Sequence, residues 1–185
     1  DEPTGNASWF SRTFPPSRYT GTAWYGGQMR DNANSFQLFE AEGMRFCILH
    51  LECNAPDPVL VWADRIMAEH ADRHIIVTAH MFLGPLDKAE YFTAARGIAR
   101  WSKCHGQAGN SPQQMWDKCL SRRPGLLMIL CGDQSRVQSM RTELAGKQGQ
   151  RVHACLCDYY GATEGWLRLY RLTPAERRVE ALTYG

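Results

Sequence analysis

The chain has 185 residues, 44% of them hydrophobic and 22% charged, which is the ordinary balance of one globular domain with a substantial core. Its 21 basic and 19 acidic side chains leave a formal net charge of +2, too little for an extended nucleic-acid footprint. No Lys/Arg run exceeds a pair, which argues against a polybasic membrane patch. The longest apolar stretch, Leu126–Cys131, is far too short to span a bilayer. The start, Asp1-Glu2-Pro3-Thr4-Gly5, does not read as a charged-then-apolar leader, and the expectation is that a leader has been removed or that the chain starts within a domain. Seven cysteines are an odd number for a disulfide framework, and no Cys-x-x-Cys pair marks a structural zinc site. Several lie in apolar strand patterns, where a free thiol behaves as a small hydrophobe. Reduced core thiols are expected, and the compartment stays open.

Residues 1–34 are rich in Gly, Pro, Ser, Asn and Tyr, are punctuated at Pro15-Pro16 and Gly26-Gly27, and show no sustained periodicity, which predicts a long irregular segment. Its aromatics, Trp9, Phe10, Phe14, Tyr19, Trp24 and Tyr25, are expected to pack on something. Ser35–Glu40 and Arg45–Leu51, separated by Glu42-Gly43, read as a hairpin. The first strand alternates, and the second is nearly all apolar and so more central. Asp57 as N-cap and Pro58 at the first helical position open a helix to about residue 71, with Val59, Trp62, Ala63, Ile66 and Met67 on one stripe.

His74-Ile75-Ile76-Val77-Thr78-Ala79 then runs straight into His80, and the chain breaks at Gly84-Pro85. This is the pattern of a buried strand that delivers one polar side chain to the carboxyl edge of a sheet, where ligands collect in open α/β folds. Residues 81–110 read as loop-rich. Ser111-Pro112-Gln113-Gln114 is a capping box opening a helix that carries Met115, Trp116, Cys119 and Leu120 on its apolar face and stops before Pro124. Gly125–Cys131 is a second buried strand, ending in Gly132-Asp133. A short helix over Arg136–Leu144 is expected next, then strands at Arg151–Cys157, Trp166–Leu172 and Val179–Thr183, the closing ones antiparallel. The order predicts an α/β fold over residues 1–185: a single domain, a mixed-sheet sandwich flanked by helices.

His80 and Asp133 end two central strands. If those strands are parallel neighbours, an imidazole and a carboxylate share one sheet edge and suit a divalent Fe, Mn or Zn ion. The alternative for Asp133 is to cap the helix expected near Arg136. His105 and Asn110, in the long loop between the strands, are a candidate pair for hydrogen-bonding a phosphate, or else a solvated histidine and its neighbour. His50 and His153 lie within strands and read as structural; Cys155 and Cys157 share a strand face and read as core. Asp158-Tyr159-Tyr160 reads as a turn or as a group orienting the site. No Gly-rich phosphate loop or nucleophile elbow is present.

In order along nearly the whole chain stand Phe14-Pro15-Pro16-Ser17-Arg18-Tyr19, Trp24-Tyr25-Gly26-Gly27, Asn34-Ser35-Phe36-Gln37-Leu38-Phe39 and Leu49-His50-Leu51-Glu52. Trp62-Ala63, Val77-Thr78-Ala79-His80, Gly109-Asn110, Leu130-Cys131-Gly132, Asp158-Tyr159 and Gly165-Trp166-Leu167-Arg168 follow. With these residues the chain resembles the C-terminal half of a calcineurin-like metallophosphoesterase, the superfamily that includes purple acid phosphatases. The resemblance implies the second half of a four-layer, two-sheet sandwich with metal ions at the strand ends, hydrolysing phosphate esters through a metal-activated water. It places the family's Val-x-x-His motif on Val77 to His80, which makes His80 the implied metal ligand. The chain departs where the Gly-His-x-His motif falls on Gly132-Asp133-Gln134-Ser135. Ala7 follows Gly5-Asn6 where the family's Gly-Asn-His motif has its histidine. The first-half ligand motifs have no place in these residues. The resemblance therefore implies a truncated or degenerate phosphate ester hydrolase, or a non-catalytic binding or assembly module that keeps the scaffold. It also implies an apolar sheet face without its usual cover. Such a face belongs to a fragment of a larger enzyme, serves a homo-oligomer, or is covered by another packing.

Overall fold

A mixed β-sheet organises the computed structural model, which describes residues 3–88, 95–133, 138–159 and 164–185. The strands begin with β1 (Tyr25–Met29), β2 (Asn34–Ala41), β3 (Met44–Leu51), β4 (His74–Ala79), β5 (Leu83–Pro85) and β6 (Arg96–Ile98). They continue with β7 (Leu126–Cys131), β8 (Gln138–Ala145), β9 (Arg151–Asp158), β10 (Leu167–Thr173) and β11 (Arg178–Tyr184). The α-helices are α1 (Ser8–Thr13), α2 (Asp57–Glu69) and α3 (Pro112–Lys118). Seven strands form the main sheet in the order β1-β2-β3-β4-β7-β9-β8. Its centre, β3, β4, β7 and β9, is parallel, while β1, β2 and β8 join antiparallel. The architecture is α/β, a mixed sheet flanked by helices, as the alternation of elements predicts.

The helices α2 and α3 cover one face of the sheet. The α2 stripe Val59, Trp62, Ala63, Ile66 and Met67 packs with Leu49, Ile75, Val77, Ile129 and Leu156 in the larger core cluster. Burying each such side chain contributes about 1.5–3 kcal/mol. The opposite face carries a smaller cluster, Phe46, Ile76, Met128 and Cys155, against Tyr170 and Leu172 of the β10–β11 ribbon. Pairing passes from Ile75↔Leu126 to Ile76↔Met128, so Leu127 is a bulge residue. The bulge turns Leu127 and Met128 together toward the ribbon. This two-stranded ribbon is thus a further packing on the face expected to be bare. All seven cysteines are free, five of them buried. Among the described residues no helix is long and apolar enough to cross a membrane.

The β2–β3 hairpin forms as expected, turning through Glu42 and Gly43, both at positive φ (50° and 73°) as a tight two-residue turn requires. The Ser111–Gln114 capping box is present with both of its hydrogen bonds. Other expectations are corrected. Residues 1–34 are not irregular throughout, since they hold α1 and β1, and β1 pairs with β2. Gly26-Gly27 reads as a break, yet a Cβ on Gly26 would lie 2.1 Å from the Phe36 ring, so glycine serves close packing inside a strand. The aromatics there pack largely on one another (Phe10–Phe14 5.2 Å, Tyr19–Tyr25 5.6 Å), leaving Trp9, Phe10, Phe14 and Trp24 exposed. Of the helix expected over Arg136–Leu144, Arg136 and Val137 lie outside the described residues and the rest is strand β8, in which Met140 and Leu144 face the core and Arg141 and Glu143 the other side. Pairing with β9 overrides the helical propensity of Met-Arg-Thr-Glu-Leu-Ala. Pro56 is the α2 N-cap, one residue before the expected Asp57. Within the loop-rich stretch, Leu83–Pro85 and Arg96–Ile98 pair as a short hairpin.

Candidate functional site

Because β3, β4, β7 and β9 are parallel, their carboxyl ends share one edge of the sheet. Glu52 follows β3, His80 follows β4, and Gly132-Asp133 follows β7. The two tips of β4 and β7 are tied by Gly132 N–H donating to the His80 carbonyl at 3.0 Å. Asp133 sits at φ 60°, a left-handed conformation that Asp tolerates and that swings its carboxylate back toward His80. His80 Nε2 and Asp133 Oδ2 are 3.1 Å apart. The sequence expectation that these two residues meet on one edge is realised. The alternative of Asp133 capping a helix over Arg136–Leu144 lapses with that helix.

A third group completes the cluster. Lys103 Nζ lies 3.1 Å from His80 Nε2 and donates to Asp133 Oδ2. With its proton, His80 Nε2 donates to Asp133; without it, the same nitrogen accepts from Lys103. Burial pushes the Asp133 carboxyl up, but the hydrogen bonds and charges of His80 and Lys103 outweigh this and hold it at about 2. Among the described residues, Lys103 brings one ammonium to the cluster and Asp133 one carboxylate.

Lys103 is placed by Asn54, a buried residue at φ 53° in the turn after β3. Asn54 Oδ1 accepts from Lys103 N–H at 2.9 Å and from Cys104 N–H at 3.3 Å, and its Nδ2 donates to the Asn110 carbonyl at 2.9 Å. A single amide thus splices the loop of residues 101–110 onto the sheet edge. Asn110 itself is buried, donating through Nδ2 to the Ala55 carbonyl (2.8 Å) and Asp57 Oδ1 (2.9 Å) and accepting from Lys118 Nζ (2.7 Å). His105, its side chain 7% exposed, pairs with Glu52 Oε2 at 3.0 Å. Glu52 also accepts from Asn34 Nδ2 (2.8 Å) and pairs with Arg30 (3.2 Å). His105 and Asn110 therefore each have internal partners and are not brought to the His80–Asp133 pair.

His50 is satisfied within the sheet, by Thr78 Oγ1 at 2.7 Å and by Gln37, and burial lowers its pKa. Cys157 Sγ lies 3.3 Å from the Tyr170 hydroxyl, and Cys155 is buried in the core. Tyr160, Gln134 and Ser135 lie outside the described residues. Sequence reasoning passed over Lys103 and Asn54. The only signal for Asn54 is an Asn just before Ala55-Pro56 at a strand end, where a left-handed turn residue fits.

His80 and Asp133 offer one nitrogen and one carboxylate to a metal, with the Lys103 ammonium lodged against both. Among the described residues no three His, Cys, Asp or Glu side chains converge as a metal-holding group. Zinc, by comparison, takes about four ligands. The described donors at this edge thus supply one nitrogen and one carboxylate, short of that number. The chain matches no protein-family model and no curated protein.

Proposed function

We propose that this chain is a non-catalytic binding or assembly module on a metallophosphoesterase-like scaffold, its strand-edge site closed internally by Lys103. The observation that carries this reading is the lysine ammonium in hydrogen-bonding reach of both His80 Nε2 and Asp133 Oδ2. A side-chain cation there neutralises the carboxylate and occupies the nitrogen, the two donors that a phosphoesterase of the resembled type would direct at a metal. His105 and Asn110 hold the adjoining loop in this reading, and do not bind phosphate. Support for the scaffold comes from the parallel strands whose tips carry His80 and Gly132-Asp133, the positions picked out by the resemblance.

The test is incubation of the whole chain with Mn, Zn or Fe and para-nitrophenyl phosphate, beside His80→Ala and Lys103→Ala. No metal-dependent turnover is expected from the unmodified chain. Lys103→Ala, which bares the imidazole and carboxylate, is expected to take up Zn more tightly than the unmodified chain in a competition assay with a chromogenic chelator. Metal-dependent turnover by the unmodified chain that disappears in His80→Ala overturns the reading and establishes a phosphate ester hydrolase.

A further inference from the structure

The sheet face opposite the helices holds a cleft of about 840 Å³ between the sheet and the β10–β11 ribbon. That lies within the size range of small-molecule pockets. Leu127, Met128 and Cys155 form its floor, and Tyr170, Leu172 and Ala181 its roof. The floor is apolar because the β7 bulge presents two successive large side chains to the same side. Of the hydroxyls on the ribbon side, those of Tyr170 and Thr173, that of Tyr170 is already within 3.3 Å of Cys157 Sγ. Leu127, Met128, Leu172 and Ala181 give the cleft an apolar stretch that suits the apolar body of a ligand, beside the polar groups of Arg141, His153 and Thr173.

The formal charges lining the cleft are all positive: Arg141, Arg177 and Arg178 lie among its lining with the imidazoles of His74 and His153, and among the described residues no acidic side chain lines it. Outside the lining, Glu143 engages Arg141 at 3.0 Å, while Glu176 and Glu180 engage Arg178 at 3.0 and 3.5 Å. Arg177, at φ 51° on the ribbon turn, has no ion pair among the described residues. A guanidinium fork matches a carboxylate in geometry and charge.

We propose that this cleft binds an amphipathic anion of the fatty-acid class, an unbranched acyl chain lying between ribbon and sheet with its carboxylate at Arg177. The site is separate from the strand edge and does not depend on how that edge is read. Met44 and Met128 in the lining adapt to a chain of variable length.

Calorimetric titration of the whole chain with laurate, below its micelle concentration, tests the site. Dodecyltrimethylammonium, with the same chain length and a cationic head, is the control. Saturable one-to-one laurate binding is expected, with no comparable binding of the cationic amphiphile. Arg177→Glu is expected to weaken laurate by about ten-fold or more. Ala181→Phe, which fills the roof, is expected to abolish binding with circular dichroism and melting unchanged. Absence of saturable laurate binding, equal affinity for the two amphiphiles, or laurate affinity unmoved by Arg177→Glu overturns the proposal. Arg177 is exposed on a turn, so that variant decides the matter even if Ala181→Phe fails to fold.

Discussion

Asn54 holds more of the candidate site in place than any residue with an obvious chemical role. Its carboxamide serves two N–H groups of the loop and one carbonyl, and its backbone stands at φ 53°. Asn54→Ala removes these bonds and puts a β-carbon into a left-handed conformation. The expected loss is about 3 kcal/mol, from unsatisfied buried groups and about 1–2 kcal/mol of backbone cost. Urea denaturation measures the total, and Asn54→Gly, which relieves the backbone share, is expected to recover about 1 kcal/mol of it. An effect on neither variant would show that the loop is held by other contacts. His80 and Asp133 were legible because each ends a strongly patterned apolar run at a break. Lys103 and Asn54 were not, since their meaning comes from a contact across about fifty residues of chain that no local pattern encodes.

Whole elements were legible where hydrophobic period and turn chemistry agreed, as in the β2–β3 hairpin and the Ser111 capping box. They were misread where one signal hid another. In β8 the alternation of Met140, Thr142 and Leu144 was present, but good helix formers masked it. In β1 the paired glycines read as punctuation of an irregular segment, although the ring of Phe36 across the hairpin demands Gly26. Gly26→Ala sets a methyl group into that ring and is expected to cost about 1–3 kcal/mol, the usual range for overpacking. Amide hydrogen exchange is expected to show β1 losing protection while β3 and β4 keep theirs. Pairing Gly26→Ala with Phe36→Leu is expected to restore it. Unchanged protection of β1 in Gly26→Ala would contradict the close packing described.

At the scale of the molecule, two features make folding stability fall in acid, in separate windows. Burial lowers the His50 pKa below its ordinary 6.5, so the unfolded chain takes up that proton first. Its contribution is therefore full above pH 6.5 and declines as pH falls through and below it. The Asp133 carboxyl, held at about 2 against an ordinary 3.8, contributes above pH 3.8 and loses that contribution as pH falls toward 2. Melting temperatures followed downward from neutral pH are expected to show both declines. Asp133→Asn is expected to remove only the lower one; a profile identical to that of the unmodified chain would mean the cluster does not clamp the strand tips.

The β10–β11 ribbon, among the described residues, pairs with no third strand. A strand edge left unpaired offers a row of backbone amides and carbonyls, the template on which a neighbouring chain's strand can add. Leu167, Leu169 and Tyr184 lie exposed on the ribbon. What stands against such fibril-like joining is charge: Arg171 and Arg178 flank Glu180 at 3.7 and 3.5 Å. Charges so placed on a strand disfavour its addition to a neighbouring copy.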